Sequence, residues 1–180
     1  MKKNLFLLFV LFPFLSKCQK IEEKTFDKFD SAIIVKTEME EIQSYTSRPL
    51  KVYLIKTLII KKRFDSLKQN TCSVLFLFGD NKVVAIDKAS RIKLEFEDGK
   101  IMEYLHNGKS QINTPKDWSY ITATASEDDL LFHQKIKSAR IYTPNDEFDF
   151  EIKEDKEDFI IKSYQIVKSQ FDEIAESSLL

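Results

Sequence analysis

Few residues in this sequence have the type and spacing that catalysis or metal binding requires, and the two histidines are the first to consider. His106 ends a predicted strand, and His133 lies four residues after Asp129 on a predicted helix. The histidines are far apart in the sequence and no cysteine pair accompanies them, so no zinc-binding spacing can be recognised. A surface pair with Asp129 accounts for His133 without catalysis. We therefore predict that neither histidine is catalytic or binds a metal.

An acidic stretch at residues 145–151 contains oxygen ligands of the kind that calcium prefers. Asp146, Glu147, Asp149 and Glu151 supply its carboxylates. The stretch lacks the glycine and the terminal glutamate spacing of an EF-hand loop. A solvated strand edge is the better interpretation, so we predict no metal site here.

The nucleophiles and glycines also give no recognisable catalytic motif. Gly79, Gly99 and Gly108 each fit a turn, and none belongs to a glycine-rich loop that could bind a nucleotide phosphate. No serine lies in a Gly-x-Ser-x-Gly elbow. Cys72 begins the apolar run CSVLFLF and is predicted to be a buried hydrophobic residue. We therefore predict a protein that is not an enzyme and has no cofactor.

Residues 1–18 have the organisation of a secretory signal peptide. Lys2 and Lys3 precede an apolar run at residues 5–15 that is interrupted only by Pro13. That run is too short for a membrane-spanning helix, which needs about 20 apolar residues, and it matches the apolar region of a signal peptide. We predict export from a bacterial cytoplasm, to the periplasm or the medium, and a single domain at residues 19–180.

Two processing routes are compatible with the end of this segment. Ser16 and Cys18 can fill the small-residue pockets of a signal peptidase, which leaves Gln19 as the new N-terminus. Residues 15–18 also resemble a lipoprotein box, in which Cys18 would be lipidated and anchor the domain to the envelope. Lys17 departs from the small residue normal at that position of the box, so simple cleavage is the preferred prediction.

The composition of the remaining chain limits its partners and its means of stabilisation. Residues 1–18 include three lysines, so the rest carries a net charge of about −4. A mildly acidic domain is a poor candidate for binding nucleic acid, which requires clustered positive charge. With Cys18 removed or lipidated, Cys72 is alone, and the domain must depend on its hydrophobic core rather than on a disulfide.

Runs rich in branched and aromatic residues predict about seven strands after residue 50. The runs that begin at Cys72 and Lys82 are predicted to form a hairpin around residues 79–81. Before residue 50, residues 19–30 are predicted to be a loose lead-in. Residues 32–35 suit a strand, and residues 38–43 could form a helical turn.

The strongest hairpin signal is Asp98-Gly99 between RIKLEFE and KIMEYLH. A two-residue loop would pair Glu97 with Lys100 and Phe96 with Ile101. In that register one face of the hairpin is apolar and consists of Ile92, Leu94, Phe96, Ile101 and Leu105. An Asn-Gly turn at residues 107–108 and a strand in WSYITATA follow.

The remaining chain predicts two helices and two short strands. A short helix is predicted from Ser126, with an apolar side formed by Leu131, Phe132, Ile136 and Ala139. Short strands follow in ARIY and FDFEI. A terminal helix is predicted from the stripe of Ile160, Tyr164, Val167, Phe171 and Ile174. Together these elements predict an α+β fold, a mostly antiparallel sheet with the long terminal helix packed on it, or alternatively a β-sandwich with decorating helices.

The aromatic residues suggest one candidate ligand site, an apolar pocket between sheet and helix. Trp118, Tyr120, Tyr164 and Phe171 would line it. A well-filled core explains the same residues equally simply. The leading functional prediction is a non-catalytic exported domain that binds another macromolecule, and the alternatives are a carrier of a lipid or other apolar ligand and a hydrolase with an unrecognised site.

Overall fold

A computed structural model describes residues 20–27, 32–46, 51–55, 71–79, 84–106 and 118–177. The predicted signal peptide with Cys18 and the predicted turn at residues 107–108 lie outside these residues.

The described residues form eleven strands, two short 3-10 helices and one α-helix. The strands are β1 (Ile21–Asp27), β2 (Ala32–Thr37), β3 (Glu40–Glu41), β4 (Gln43–Thr46), β5 (Lys51–Ile55), β6 (Thr71–Gly79), β7 (Arg91–Phe96), β8 (Ile101–Leu105), β9 (Ser119–Ser126), β10 (Ile136–Tyr142) and β11 (Glu147–Ile152). The 3-10 helices are Leu130–Phe132 and Glu154–Lys156, and the α-helix α1 is Phe159–Ser177.

The strands form three antiparallel sheets. β1 and β2 form a two-stranded sheet, the order β4-β11-β10-β7-β8 makes a five-stranded sheet, and the order β3-β5-β6-β9 makes a four-stranded sheet. Phe78 of the four-stranded sheet contacts Phe148 of the five-stranded sheet, with ring centroids 6.2 Å apart. The two larger sheets and α1 contribute to one buried hydrophobic cluster. The α+β class is therefore confirmed, with the strands divided between facing sheets.

The predicted hairpin between CSVLFLF and KVVAI is wrong. β6 already has a neighbour on each edge, because Phe76 pairs with Leu54 of β5 and with Ile121 of β9. Residues 84–87 form no strand. Val84 instead donates its N–H to the Ser119 hydroxyl at 3.0 Å and accepts a hydrogen bond from that hydroxyl at 2.6 Å.

The β7–β8 hairpin forms, but its register differs by one residue from the prediction. Gly99 has φ +81 and donates its N–H to the Phe96 carbonyl at 2.9 Å, so the loop has three residues, 97–99. A glycine accepts positive φ without the steric cost of a Cβ. As a consequence Ile101 pairs with Glu95 rather than with Phe96.

This shift decides which side of β8 faces the core. Because a slip of one residue turns every side chain to the other face, Met102 and Tyr104 point inward. Ile101 and Leu105, predicted to be buried, are 63% and 61% exposed. The β7 part of the prediction is confirmed, since its three apolar residues are buried, namely Ile92, Leu94 and Phe96.

The short helix predicted after Ser126 is only one 3-10 turn. Asp129 caps this turn by accepting a hydrogen bond from the Leu131 N–H at 2.9 Å. The chain then enters β10, so Ile136 and Ala139 are strand residues rather than helical ones. Both are buried in any case, because the register shift between Ile136 and Ser138 turns these two strand residues to the same face of the sheet.

The terminal helix is confirmed, and so is its apolar stripe. Ile160, Tyr164, Val167 and Phe171 are buried, and Ile174 is partly buried. α1 lies against β2. Lys24 of β1 donates hydrogen bonds to Gln170 at 3.0 Å and to Glu173 at 3.1 Å. Residues 21–27 are thus a strand rather than a loose lead-in, because β2 and α1 supply the partners that order them.

Candidate functional site

The outer face of the five-stranded sheet carries alternating polar side chains. In β11, and in β10 from Ser138 onward, every second residue points into the core and the residues between point outward. The register places Arg140 between Lys93 of β7 and Asp149 of β11. Charged side chains from three adjacent strands therefore lie side by side on this face.

Arg140 and Asp149 form a two-pronged ion pair. The Nε and Nη2 atoms of Arg140 donate to the two carboxylate oxygens of Asp149, the second at 2.8 Å. These hydrogen bonds hold the pKa of Arg140 above its usual value. The two side chains are 43% and 47% exposed. An exposed pair of this kind contributes about 0–1 kcal/mol to stability. Its main effect is therefore to place two charged groups at fixed positions on the surface of the sheet.

Tyr142 forms an aromatic surface beside this pair. The guanidinium carbon of Arg91 lies 4.4 Å from the centre of the Tyr142 ring, and the Nζ atom of Lys93 lies 5.4 Å from it. Both distances suit attraction between a cation and a ring face. Arg91 and Lys93 also lie 3.3 and 3.4 Å from the Glu103 carboxylate.

A groove of about 520 Å³ runs over this face. Its lining residues are Lys93, Glu95, Ile101, Ser138, Ala139, Arg140, Tyr142, Asp149, Phe150 and Glu151. Ser138 donates its hydroxyl hydrogen to Glu95 at 2.6 Å. The groove offers hydrogen-bond donors, acceptors and both signs of charge, and no histidine contributes to its lining. We name it the outer-face groove.

The sequence predicts a solvated strand edge for the acidic stretch at residues 145–151, of which Asp149 and Glu151 line this groove. Glu147, Asp149 and Glu151 instead alternate along β11, which lies inside the sheet between β4 and β10. The alternation in FDFEI was the signal for one polar face. The pairing of that face with Arg140 could not be seen in the sequence.

His106 lies beside the four-stranded sheet, away from this groove. Its Nδ1 atom accepts a hydrogen bond from the Thr122 N–H at 3.3 Å, and its ring meets the Tyr120 ring edge-on at 5.6 Å. Burial lowers the pKa of His106, while the charge of Asp87 acts in the opposite direction. The burial and the Thr122 contact both favour the neutral form of the imidazole.

His133 lies at the end of the first 3-10 helix and is exposed. Its Nε2 atom is 2.7 Å from the carbonyl oxygen of Glu127, and its ring lies edge-on to Tyr164. The predicted surface pair with Asp129 is not what positions it. Asp129 instead accepts hydrogen bonds from the Tyr104 hydroxyl and the Leu131 N–H.

A polar cluster links α1 to the end of β9. The Glu127 carboxylate accepts hydrogen bonds from the Tyr164 hydroxyl at 3.2 Å and from Lys168 Nζ at 3.1 Å. Burial, followed by the charge of Glu127, raises the pKa of Tyr164.

Cys72 is fully buried, and burial raises the pKa of its thiol to about 12. The prediction that Cys72 is a buried residue is therefore confirmed.

The four residues of the predicted apolar pocket occupy two regions. Tyr164 and Phe171 belong to the buried cluster, on the side of β9 that carries Ile121. Tyr120 is on the opposite face of β9, beside His106, and partly buried Trp118 immediately precedes the strand. The apolar pocket formed by these four residues stays a prediction.

One small cavity lies between α1 and the facing sheets. It has a volume of about 10 Å³, room for about one water molecule. Its lining residues are Ile42, Phe76, Ile136, Ile152, Lys156, Glu157, Phe159 and Ile160.

Within the described part of the chain, no three of His, Cys, Asp and Glu come together as metal ligands. None of its helices is long and apolar enough to cross a membrane. Comparisons with models of protein families, with curated proteins and with solved structures found no match for this chain.

Proposed function

We propose that this chain is a non-catalytic domain that acts outside the bacterial cytoplasm and binds another protein through the outer-face groove. The export segment at residues 1–18 supports the location, in the periplasm or the medium, or at the envelope if Cys18 is lipidated. The observation that carries the binding function is the groove itself, about 520 Å³ in volume.

The chemistry of the groove favours a polypeptide partner. Glu95, Asp149 and Glu151 lie among its basic residues, so a chain of phosphates would meet repulsion as well as attraction. A polypeptide can present both signs of charge together with backbone hydrogen-bonding groups. Tyr142 adds the aromatic surface that protein interfaces are enriched in.

The alternative of a lipid carrier finds less support. A carrier needs a cleft of several hundred cubic ångströms that buries most of its ligand. The described cavity between α1 and the sheets is about 10 Å³, and the aromatic side chains predicted to line a pocket there include two that pack in the core.

The test is recovery of partner proteins from an envelope extract of the source bacterium, with immobilised native protein and two variants. Arg140→Glu reverses one charge in the groove, and Lys162→Glu makes the same change in another exposed ion pair, on α1. Both variants should fold, because exposed pairs contribute little stability.

We expect a partner that the native protein and Lys162→Glu recover equally, and that Arg140→Glu recovers at least tenfold less. An identical set of proteins on all three columns would overturn the proposal, as would the absence of any protein that depends on the groove.

A further inference from the structure

We propose that a second copy of this chain pairs with the free edge of β8, which joins two five-stranded sheets into one continuous sheet. The edge borders the outer-face groove, since Ile101 and Lys93 also line it, but this proposal does not depend on the groove's partner.

One side of the β8 backbone faces away from β7. His106 N–H donates to the Ser90 carbonyl and Phe96 N–H to the Lys100 carbonyl, each at 2.9 Å. In an antiparallel pair, the hydrogen-bonded residues alternate with residues whose N–H and C=O groups point away from the neighbour. By this alternation the groups of Ile101, Glu103 and Leu105 point away from β7.

No strand of the described residues pairs with that side of β8, which ends the five-stranded sheet. Edge strands are usually protected from pairing with another chain by charged side chains, especially lysine, by proline or by a bulge. β8 has the sequence IMEYL, which contains no lysine, proline or bulge, and its one charged residue is Glu103. Ile101 and Leu105 are the two most exposed large hydrophobic residues of the described chain, at 63% and 61%.

The side chains along this edge are complementary to their own two-fold copy. In antiparallel pairing centred on Glu103, Ile101 of each copy lies opposite Leu105 of the other. At each end of the paired strands, an apolar side chain of one copy then contacts an apolar side chain of the other, and both leave water. The same centring lets each opposed pair exchange two backbone hydrogen bonds.

The centre of this pairing would bring two glutamates together, which is unfavourable for bare charges. Each Glu103 is already held by two cations of its own copy, Arg91 at 3.3 Å and Lys93 at 3.4 Å. These cations reduce the repulsion between the two carboxylates. A different protein would be expected to offer Glu103 a cation, but Glu103 already has two cations within its own copy. This favours a second copy as the occupant.

The experiment measures the oligomeric state of the protein by sedimentation velocity over a concentration series, with variants Ile101→Lys and Leu105→Glu. Each variant places two charges opposite two apolar side chains in the two-fold pairing. Mixed together, they place one Lys opposite one Glu at one end and keep Ile101 opposite Leu105 at the other.

We expect the native protein to form dimers, each variant alone to be monomeric, and the equimolar mixture to form heterodimers again. Circular dichroism should show that both variants fold, because the substituted side chains are mostly exposed. The proposal is overturned if the native protein is monomeric at its highest soluble concentration, if the variants dimerise as the native protein does, or if the mixture stays monomeric.

Discussion

At the scale of single residues, His106 shows how burial and a backbone contact fix a protonation state. Its Nδ1 atom can accept the Thr122 N–H only while that nitrogen carries no proton. Burial lowers the pKa of the ring below 6.5, so the unfolded chain binds a proton at a higher pH than the folded one. The neutral ring therefore makes its full contribution to stability above the pKa that His106 has in the unfolded chain. This contribution is lost as the pH falls from that value toward the pKa of His106 in the folded protein.

We therefore expect the free energy of unfolding to decrease between about pH 7.5 and pH 5.5 by more in the native protein than in His106→Asn. Asparagine keeps an acceptor near the position of Nδ1 but does not titrate. Urea unfolding at the two pH values measures the difference. Equal pH dependence in the two proteins would contradict the assignment.

Residue-scale predictions succeeded where burial alone decides and failed where a distant partner does. The apolar run around Cys72 was enough to predict a buried thiol. The predicted pairing of Asp129 with His133 relied on helical spacing, but Asp129 binds Tyr104, 25 residues away in the sequence. Neither spacing nor composition contains that contact, because it depends on how β8 and the first 3-10 helix meet.

At the scale of elements, the β7–β8 hairpin depends on one loop residue. Asp98-Gly99 fits both a two-residue loop and the end of a three-residue loop. Residues on both faces of β8 are apolar, so the pattern of the strand could not choose between the registers. The positive φ of Gly99 and the hydrogen bond of its N–H belong to the longer loop.

The register can be tested by making the same change on both strands of this hairpin. Ile92 is fully buried and Ile101 is 63% exposed. We expect Ile92→Ala to lower the free energy of unfolding by about 2–5 kcal/mol, and Ile101→Ala to change it by at most about 0.5 kcal/mol. Urea unfolding at a concentration where the protein is monomeric measures both. Comparable losses would show that Ile101 faces the core, as in the two-residue register.

At the scale of the whole molecule, β6 is the best-protected element of the described chain. It has a hydrogen-bonded strand on each edge, and residues on both of its faces are buried, including Phe76 and Leu77. Amides in such a position exchange with solvent only when the whole domain unfolds. Strands at a sheet edge can open locally at a lower free energy.

We expect the amides of residues 74–77 to be the slowest to exchange, with a free energy of exchange equal to the free energy of global unfolding measured in urea. The amides of Ile101, Glu103 and Leu105 should exchange much faster in dilute protein. Hydrogen exchange followed by NMR gives both values. Slower exchange in α1 than in β6 would place the most stable unit elsewhere.

The sequence predicted the α+β class, the terminal helix and its stripe because each depends on local periodicity. Whether the strands divide between facing sheets was left open, because a single antiparallel sheet and a β-sandwich both fitted the pattern. β6 pairs with β9 across more than 40 residues, and an adjacent run of apolar residues looked like a nearer partner. The outer-face groove was missed for the same reason, since Lys93, Arg140 and Asp149 come from three strands that only the topology places together.

The packing of α1 against β2 also determines when this chain can fold during its synthesis. Lys24 and Gln170 are in contact although 146 positions separate them, and the stripe of α1 completes the buried cluster. A ribosome adds about 5–20 residues per second, so roughly 10–35 s pass before the last helix exists. Throughout that time the nascent chain lacks the helix that completes its core, so the domain can reach its final packing only when synthesis is nearly finished.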